Sequence, residues 1–446
     1  MKRTNKYLSV ITLLFIFVLS AFKAYPQSDT LELSLDKAIE LALQENRNIK
    51  ISELEIQKSE LMIKETLGGL LPKVDATGQY IRNIKKPVIF LPEGSPFGTV
   101  MEIGSDNSYN GTLSASIPVF SGPLFSSIRL ARMALNLSNE AKRGTRINIA
   151  ADVKKAYNNV LIASEALKVM EMSFDNAEEN LEKIKHMSRQ GMVAEYDLIR
   201  AQVQTGNLRP LVKQAKDNHN LALNLLKITM GLTAEQEIRV TDSLTIDKDN
   251  IMENDLPAAA SDLSQNSALR QLDHQLMLTG EQVTLTRSSR YPTVAVFGNY
   301  QYQAQANDFK FDEYTWVNTS LVGLRLQVPI FNGFITKNKI AREIIGTQQV
   351  IEQKNMLSEA IKVQLKNEIY KMEQSYNRIE TQQQTVSLAE KGFEIAKTCY
   401  GSGTGTLLEL NDAGLALTQA KLNYLQAVYD YKIALVEYEK LMGLNY

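Results

Sequence analysis

The chain repeats one pattern twice along its 446 residues. Residues 191–232 align without a gap on residues 403–444, and both segments end in Met-Gly-Leu. Two shorter motifs recur upstream in the same order: IPVFSG at 117–122 returns as VPIFNG at 328–333, and LPKVDATGQY at 71–80 returns as YPTVAVFGNY at 291–300. Because the order is kept as well as the content, the fold must contain one structural unit used twice, and the period is far too long for a solenoid.

The N-terminus has the pattern of a secretory signal. Lys2, Arg3 and Lys6 precede a short apolar run that ends in small and polar residues, which predicts a signal peptide over residues 1–24. The run is shorter than the ~20 residues that a transmembrane helix needs. The mature chain then divides into three predicted parts: a first repeat over 25–232, a linker or equatorial segment over 233–256, and a second repeat over 257–446.

Composition excludes several classes of function. The formal net charge is −1, and removal of the signal makes it more negative, which argues against a nucleic-acid partner. Cys399 is the one cysteine, and the three histidines stand far apart in sequence, so we expect no disulfide, metal site or cofactor. The sequence also lacks a nucleophile supported by a histidine, which predicts a protein that is not an enzyme.

One proline-free tract in each repeat predicts exceptionally long amphipathic helices. No proline lies between Pro123 and Pro210 or after Pro329, and apolar residues recur at spacings of three and four. A 65-residue helix would be roughly 100 Å long, so such helices must pack side by side as coiled-coil-like walls. Pro210 stands in the first repeat where Leu422 stands in the second, which predicts a kink in one copy.

Strands interrupt the helical tracts twice in each repeat. Alternation of apolar and polar residues predicts strands over 74–84, 110–120, 293–305 and 318–330. The stretches between the paired strands, 85–109 and 306–316, are dense in turn residues and predict hairpin tips. Phe311, Tyr314 and Trp316 in the second stretch suit either an aromatic belt at a membrane surface or a loop cluster packed on itself.

Four strands per chain cannot close a barrel in a membrane. The usual minimum is ~8 strands, and an open sheet edge in lipid would leave backbone groups without partners. If the strands lie in a membrane, the protein must therefore oligomerise, and a trimer would supply twelve strands.

These motifs, taken together and in order, resemble the TolC family of outer-membrane efflux and secretion ducts. The resemblance covers nearly the whole mature chain, and its most specific parts are the paired strand motifs above and YGSGTGTLLELNDAGLAL at residues 400–417. It implies an α+β membrane protein with an internal two-fold repeat. In such a protein a long antiparallel α-helical coiled-coil barrel continues into a trimeric 12-stranded transmembrane β-barrel.

The resemblance also implies a function and a location. Members of the family are homotrimers in the outer membrane with a periplasmic extension. They act as passive exit ducts of tripartite efflux or type I secretion systems, and they meet a periplasmic membrane-fusion adaptor and an inner-membrane transporter of the RND, ABC or MFS type. The alternative that the residues leave open is a periplasmic coiled-coil adaptor or structural protein without a barrel, which would leave the duplicated strands unexplained.

By the same resemblance, the pore narrows where the helices of each repeat turn back. The expected tip turns contain Gly191 in the first repeat and Gly403, Thr404 and Gly405 in the second. The residues expected at the constriction are Glu409, Asp412, Tyr400, Asp197 and Tyr196. Glu409 and Asp412 are three residues apart on one helix face, so a trimer would present two rings of carboxylates that attract cations.

A simpler interpretation of Glu409 and Asp412 is that they favour the positive end of a helix dipole. The family often carries an arginine in this turn, where this chain has Gly405, and Arg200 is a candidate to replace it. The glycine-rich run at 401–406 lacks the Lys-Ser or Lys-Thr of a phosphate loop, so its glycines suit a tight turn between helices.

Overall fold

The computed structural model describes residues 31–244 and 262–444. The predicted signal peptide and most of the predicted linker lie outside these residues. The described residues form two compact units, each built from both halves of the sequence. The first unit takes its residues from Met1–Lys50, Thr145–Gln265 and Lys362–Tyr446, and the second is Ile51–Gly144 with Asn266–Ile361.

Seven α-helices account for most of the described residues. Their bounds are α1, Leu35–Glu45; α2, Arg47–Gly68; α3, Gly122–Arg189; α4, Glu195–Met230; α5, Ser267–Ser288; α6, Ile335–Gly401; and α7, Leu407–Met442. The helices α3 and α6 contain 68 and 67 residues, and each runs from one unit into the other. The helices α4 and α7 contain 36 residues each. The long helices predicted from the proline-free tracts are confirmed.

The repeated Met-Gly-Leu motif ends α4 and α7 in the same way. Gly231 and Gly443 have φ values of 84° and 65°, in the left-handed region that glycine adopts without strain. The Leu232 backbone N–H donates to the Lys227 carbonyl at the end of α4. In the same way the Leu444 backbone N–H donates to the Glu439 carbonyl at the end of α7. This is the Schellman arrangement that satisfies the last carbonyls of a helix.

Within the part of the chain that the structure describes, eight strands form three separate sheets. Their bounds are β1, Leu31–Leu33; β2, Lys73–Arg82; β3, Val88–Phe90; β4, Val100–Glu102; β5, Asn107–Ser121; β6, Ile238–Val240; β7, Thr293–Ala306; and β8, Val317–Gln327. The four long strands form one antiparallel sheet in the order β2-β5-β7-β8, and they confirm the four strands predicted from alternation. The last one differs at its end, because β8 stops at Gln327 whereas the alternation extends to residue 330.

Short elements occupy the stretches predicted as hairpin tips. The strands β3 and β4 pair within residues 85–109, and a 3₁₀ turn at Phe311–Glu313 lies in the other stretch. Within residues 31–244 and 262–444, none of the helices is both long and apolar enough to cross a membrane. The helix α4 continues through Pro210 from Glu195 to Met230, and the kink expected there stays a prediction.

A two-stranded parallel sheet anchors the start of the first unit. The strand β1 pairs with β6, and Asp242 just after β6 accepts hydrogen bonds from the Leu35 backbone N–H at 3.0 Å and the Tyr157 hydroxyl at 2.8 Å. Burial, with a smaller contribution from the Asp242 charge, raises the pKa of Tyr157 well above its usual range. These contacts tie α1, α3 and β6 together around the fully buried Leu33.

Candidate functional site

The turn between α6 and α7 is organised around one backbone carbonyl. The Cys399 oxygen accepts hydrogen bonds from the backbone N–H groups of Thr404 and Gly405, both at 3.0 Å. The hydroxyls of Ser402 and Thr404 also donate to it, at 3.1 and 3.2 Å. Gly403 has a φ of 74°, which glycine adopts without strain. The run of small residues at 401–406 therefore closes a tight turn between two helices, as predicted.

Gly405 fills a place in this turn that has no room for a side chain. A Cβ atom there would lie 3.0 Å from the Cys399 Cβ and 3.1 Å from the Tyr400 backbone nitrogen. Both are closer than ordinary van der Waals contact, and the backbone nitrogen cannot move aside cheaply. This crowding gives a physical reason for glycine at the position where the resemblance suggests arginine.

Glu409 belongs to a capping box at the start of α7. Its carboxylate accepts the Thr406 backbone N–H at 2.8 Å, and the Thr406 hydroxyl accepts the Glu409 backbone N–H at 3.2 Å. Each side chain thus satisfies a backbone donor at the helix start. The simpler interpretation of Glu409, a residue that stabilises a helix start, is therefore realised in this chain. The carboxylate remains exposed and can still act as a charge.

The turn between α3 and α4 has a different local structure. Gly191 has a φ of 70°, and the Met192 backbone N–H donates to the Met187 carbonyl at 2.9 Å. The residue before α4 is Ala194, which cannot cap the helix with its side chain. Glu195 and Asp197 lie in the first turn instead, where negative charge favours the helix dipole.

The two tip turns meet in one hydrophobic cluster of the first unit. The cluster contains Leu181 and Ile184 of α3, Ala201 of α4 and Leu407 of α7, with Tyr400, Val193 and Leu198 packed against it. Burial, and next the negative charge of Asp197, raise the pKa of Tyr400 above its ordinary value. The structure therefore brings Tyr400 and Asp197, from different repeats, to the same end of the helices.

The other predicted constriction residues lie on the surface of this end. Asp412 is exposed on α7, and among the described residues its carboxylate has no hydrogen bond or ion pair. Tyr196 is exposed to 67%. The described residues contain no ion pair between Arg200 and Asp197, and the replacement of the absent turn arginine by Arg200 stays a prediction. The pore rings themselves stay a prediction.

The four-stranded sheet of the second unit has one apolar and one polar face. Residues paired across the strands share a face, and most pairs match in polarity: Val296 lies opposite Ile117 and Leu324, and Asn299 lies opposite Ser114 on one side but opposite Leu321 on the other. The apolar face carries Val74, Ala76, Tyr80, Tyr109, Leu113, Ala115, Ile117, Val294, Val296, Tyr300, Tyr302, Val322, Leu324 and Leu326, together with the polar residues Arg82, Asn107, Asn318 and Ser320. The polar face carries Asp75, Thr77, Gln79, Asn110, Thr112, Ser114, Ser116, Asn299, Gln301, Gln303, Thr319, Arg325 and Gln327, together with the apolar residues Ile81, Ala295, Phe297, Val317 and Leu321.

Aromatic side chains gather at the loop end of the apolar face. Trp316 stacks on Tyr302 with ring centroids 5.1 Å apart, and Tyr109 contacts Phe311 and Tyr314 at 5.3 and 5.6 Å. The loop aromatics therefore do pack on one another and on the strands. The cluster sits at one end of the apolar face. Packing of the loop aromatics on one another is therefore compatible with an aromatic belt at a membrane surface.

Sequence reasoning missed Asp242 and its partners. The residue lies in the acidic segment predicted as a linker or equatorial part, and its role depends on contacts with Leu35 and Tyr157, which are distant in sequence. Burial lowers the pKa of Lys432 on α7, and the charge of Asp242 partly opposes that shift. A local sequence pattern carries no signal for such a contact. Over residues 31–244 and 262–444, acidic, histidine and cysteine side chains form no cluster that could hold a metal ion.

Comparison with known proteins agrees with these features. The family model for outer membrane efflux proteins matches residues 38–231 and 260–444. The chain is 22% identical over 438 residues to the cobalt-zinc-cadmium resistance protein CzcC of Cupriavidus metallidurans, covering 95% of this chain and 93% of that protein. It is 21% identical over 309 residues to the outer membrane protein TolC of Vibrio cholerae, covering 67% of this chain and 68% of that protein.

A solved structure shows the same fold. The open-state outer membrane channel MtrE of Neisseria gonorrhoeae superposes with a TM-score of 0.70 at 20% identity, covering 92% of this chain and 88% of that one. The family model matches most of the chain in two segments of similar length. The chain therefore belongs to the outer membrane efflux protein family. This confirms the resemblance inferred from the repeated motifs and the location in the outer membrane.

Proposed function

We propose that the chain forms a passive exit duct for a tripartite efflux or type I secretion system. The observation that carries the proposal is the sheet of the second unit, which has one apolar and one polar face and is continuous in sequence with very long helices. In this role the apolar face contacts outer-membrane lipid and the polar face lines the pore. The duct itself performs no chemistry.

Three copies of the chain make the closed structure. Each copy contributes four strands, and three copies reach twelve, which is above the usual minimum for a membrane barrel. The apolar face extends along β7 from Val294 to Tyr302, a distance of roughly 25–30 Å along the strand. A tilted strand of 9–11 residues is the usual length for crossing the hydrocarbon core.

Each repeat supplies an equivalent part of the wall. The proposed repeats are residues 25–232 and 257–446, joined by the segment 233–256. The matched lengths of α3 with α6 and of α4 with α7 support this division. At 1.5 Å per residue, α3 and α6 are each about 100 Å long, which suits a helical extension across the periplasm to a membrane-fusion adaptor and an inner-membrane transporter.

The tip turns form the proposed constriction. Gly191, Gly403, Thr404 and Gly405 shape the turns, and the trimer presents Glu409 and Asp412 to the pore with Tyr400, Asp197 and Tyr196 nearby. The shared hydrophobic cluster at the tip supports this assignment, since it holds the turns of both repeats at one end. Exposed carboxylates repeated three times around an axis would bind multivalent cations more tightly than monovalent ones.

Single-channel recording in planar bilayers tests the duct and its constriction together. We expect the wild-type protein to conduct and a trivalent cation to block the current. The double variant Glu409→Gln with Asp412→Asn should need about tenfold more cation for half block, because a loss of about 1.4 kcal/mol of attraction changes binding tenfold. Glutamine keeps the capping box at residue 409, so the helix start is preserved while the charge is removed.

A matched control is Glu352→Gln, which removes one exposed carboxylate per chain from α6 in the other compact unit. It should leave cation block unchanged. If the double variant is blocked at the wild-type concentration, Glu409 and Asp412 do not face the pore. A purified protein that never conducts, or that stays a monomer in aqueous solution without detergent, would contradict the duct itself.

A further inference from the structure

The end of the sheet where the helices attach is basic in the second repeat. Residues 286–292 and 325–342 surround the start of β7 and the end of β8, and they contain no acidic residue. Their six cations are Arg287, Arg290, Arg325, Lys337, Lys339 and Arg342. At the opposite end of the same hairpin, residues 306–316 contain three acidic residues and one lysine. The charge of the helix end therefore favours an anionic partner, and that of the loop end does not.

A cavity of about 310 Å³ lies between the end of α5 and the start of α6. Arg290 and Lys337 line it, and the polar side chains around them are Ser289, Asn332 and Thr336. Over the described residues, none that lines the cavity is acidic. Within residues 31–244 and 262–444, neither of the two cations forms an ion pair. The cavity thus offers two positive charges that no carboxylate of its own lining offsets.

The second repeat leaves its sheet differently from the first. In the first repeat α3 begins at Gly122, directly after the last residue of β5. In the second repeat residues 328–334 separate β8 from α6, and Gly333 and Phe334 both have a φ of 63°. Pro123 holds the place of Phe334 in the first repeat, and the proline ring excludes a positive φ. The cavity lies against this extra turn, which the first repeat lacks.

The corresponding place in the first repeat is filled by a leucine. A Cβ on Gly69 would lie 2.8 Å from the Leu124 Cδ1, so this leucine packs directly against the end of α2. Ile335, which holds the place of Leu124 in the second repeat, is instead exposed to 56%. At the positions of the two cations the first repeat has Leu70 and Ser126. Both the space and the charges therefore distinguish the second repeat from the first.

The cavity adjoins the end of the apolar face of the sheet. Leu326 is the last apolar residue of β8 on that face, and Val328 and Ile330 follow it at the same spacing of two. All three side chains are exposed, and Ile330 lines the cavity. On the other side Arg290 precedes β7 by three residues. A molecule with a charged head and an apolar tail can therefore place its head at the cations and its tail along the apolar face.

We infer that this cavity binds the phosphate headgroup of an anionic phospholipid in the leaflet on the helix side of the sheet. The inference rests on the membrane-spanning sheet proposed above, in which the apolar face contacts lipid. In that arrangement the helix end of the face lies at the level of the headgroups, which begin where the hydrocarbon core ends. The Arg290 guanidinium and the Lys337 ammonium donate charge-assisted hydrogen bonds to the phosphate, and the acyl chains lie along the apolar face.

Native mass spectrometry of the full-length protein in mild detergent tests the site by counting the lipids that stay bound. The protein is titrated with dioleoyl phosphatidylglycerol and, separately, with dioleoyl phosphatidylcholine, which has the same acyl chains but no net charge. We expect phosphatidylglycerol to reach half occupancy at about tenfold lower concentration. The double variant Arg290→Gln with Lys337→Gln should lose this preference, because it keeps polar side chains in the cavity but removes both charges.

The matched control is Arg287→Gln with Lys339→Gln, which removes two cations of the same basic end that do not line the cavity. All four positions are exposed, so the variants should fold. The control should keep the preference for phosphatidylglycerol. An equal loss in the control would mean that the basic end attracts anions without a site, and it would overturn the inference.

Inorganic phosphate distinguishes a lipid from a free anion. Added in excess, it should leave phosphatidylglycerol bound, because it has no acyl chains to bury against the apolar face. Displacement of the lipid by phosphate would assign the cavity to a free anion and would contradict the inference.

The same spectra separate the lipid site from the duct, because they also report how many chains are joined. If the chains assemble but show no preference for phosphatidylglycerol, the lipid site is wrong and the duct stands. If the protein stays a single chain and retains neither lipid, the membrane-spanning sheet on which the inference rests is wrong as well.

Discussion

Two tyrosine hydroxyls in the first unit lie out of contact with water but differ in their hydrogen bonds. The Tyr157 hydroxyl donates to the carboxylate of Asp242 at 2.8 Å and lies 2.9 Å from the Leu33 carbonyl oxygen. Within the described part of the chain, the Tyr400 hydroxyl at the tip is buried without a hydrogen-bond partner. A buried polar group without a partner costs stability, whereas a satisfied one contributes to it.

The same substitution should therefore have opposite effects at the two tyrosines. Tyr157→Phe should lower stability by about 1–2 kcal/mol, because it leaves acceptors without their donor. Tyr400→Phe should leave stability unchanged or raise it slightly. The measurement is the apparent thermal midpoint of each detergent-solubilised variant at pH 7.5, followed by circular dichroism. A lowered midpoint for Tyr400→Phe would mean that its hydroxyl finds a partner in the assembled protein.

Alkaline pH should separate the wild type from Tyr400→Phe. The folded protein holds the Tyr400 proton more tightly than the unfolded chain, because burial and the Asp197 charge raise its pKa. The stability that comes from this tighter hold is fully present below the pKa of tyrosine in the unfolded chain, ~10. It is lost as the pH rises through the pKa of Tyr400 in the folded protein. Above pH ~10 the midpoint of the wild type should fall more steeply than that of Tyr400→Phe. Parallel curves would contradict this assignment.

At the scale of single elements, one glycine inside α4 and one at its end have opposite requirements. Gly231 ends the helix with a φ of 84°, and a Cβ there would lie 2.8 Å from the Glu45 carbonyl oxygen. Gly206 lies inside the same helix, where a Cβ would meet nothing within 4 Å. The first position requires glycine for both conformation and space, and the second does not.

Alanine at the two positions should shift stability in opposite directions. Gly231→Ala should destabilise the protein by about 1–3 kcal/mol from left-handed strain, with a further cost for moving the α1–α2 junction. Gly206→Ala should stabilise it by up to about 1 kcal/mol, because alanine is the better helix former. Thermal midpoints of the two variants check this. A stabilised Gly231→Ala would contradict the helix end described above.

The elements that the sequence predicts well are those with long periodic patterns. The helices α3, α4, α6 and α7 follow from proline-free amphipathic tracts, and the four long strands follow from alternation over about ten residues. The strands β1, β3, β4 and β6 have three residues each, too few for any period to be visible. The alternation predicts that β8 extends to residue 330, but the strand ends at Gln327. Alternation alone does not make a strand, because a strand also needs a neighbour to pair with.

The candidate site was predictable in place but not in detail. Glycine and acidic residues mark both tip turns in the sequence, and both turns lie where expected. The Thr406 and Glu409 spacing is itself a capping-box signal, and the structure gives it that role. The cluster that joins Tyr400 to Ala201 depends on contacts between helices that are remote in sequence, so local patterns could not reveal it.

For the whole molecule, the repeat and the sheet together are the basis for proposing that several chains close one barrel. Each repeat provides a hairpin, and the second repeat pairs with the first inside the chain through β5 and β7. The same kind of edge is left open at β8 and at β2. An open edge within lipid would leave backbone groups without hydrogen bonds, so closure by further copies is the physical requirement behind the proposed trimer.

The number of chains in the assembled protein tests this account most directly. Native mass spectrometry of the protein extracted from outer membranes in mild detergent measures that number without assuming a shape. The account predicts one species that contains three identical chains and dissociates to single chains on unfolding. A species of one or two chains, stable and still folded by circular dichroism, would contradict it, because four or eight strands with the observed edges would then have to be closed in another way.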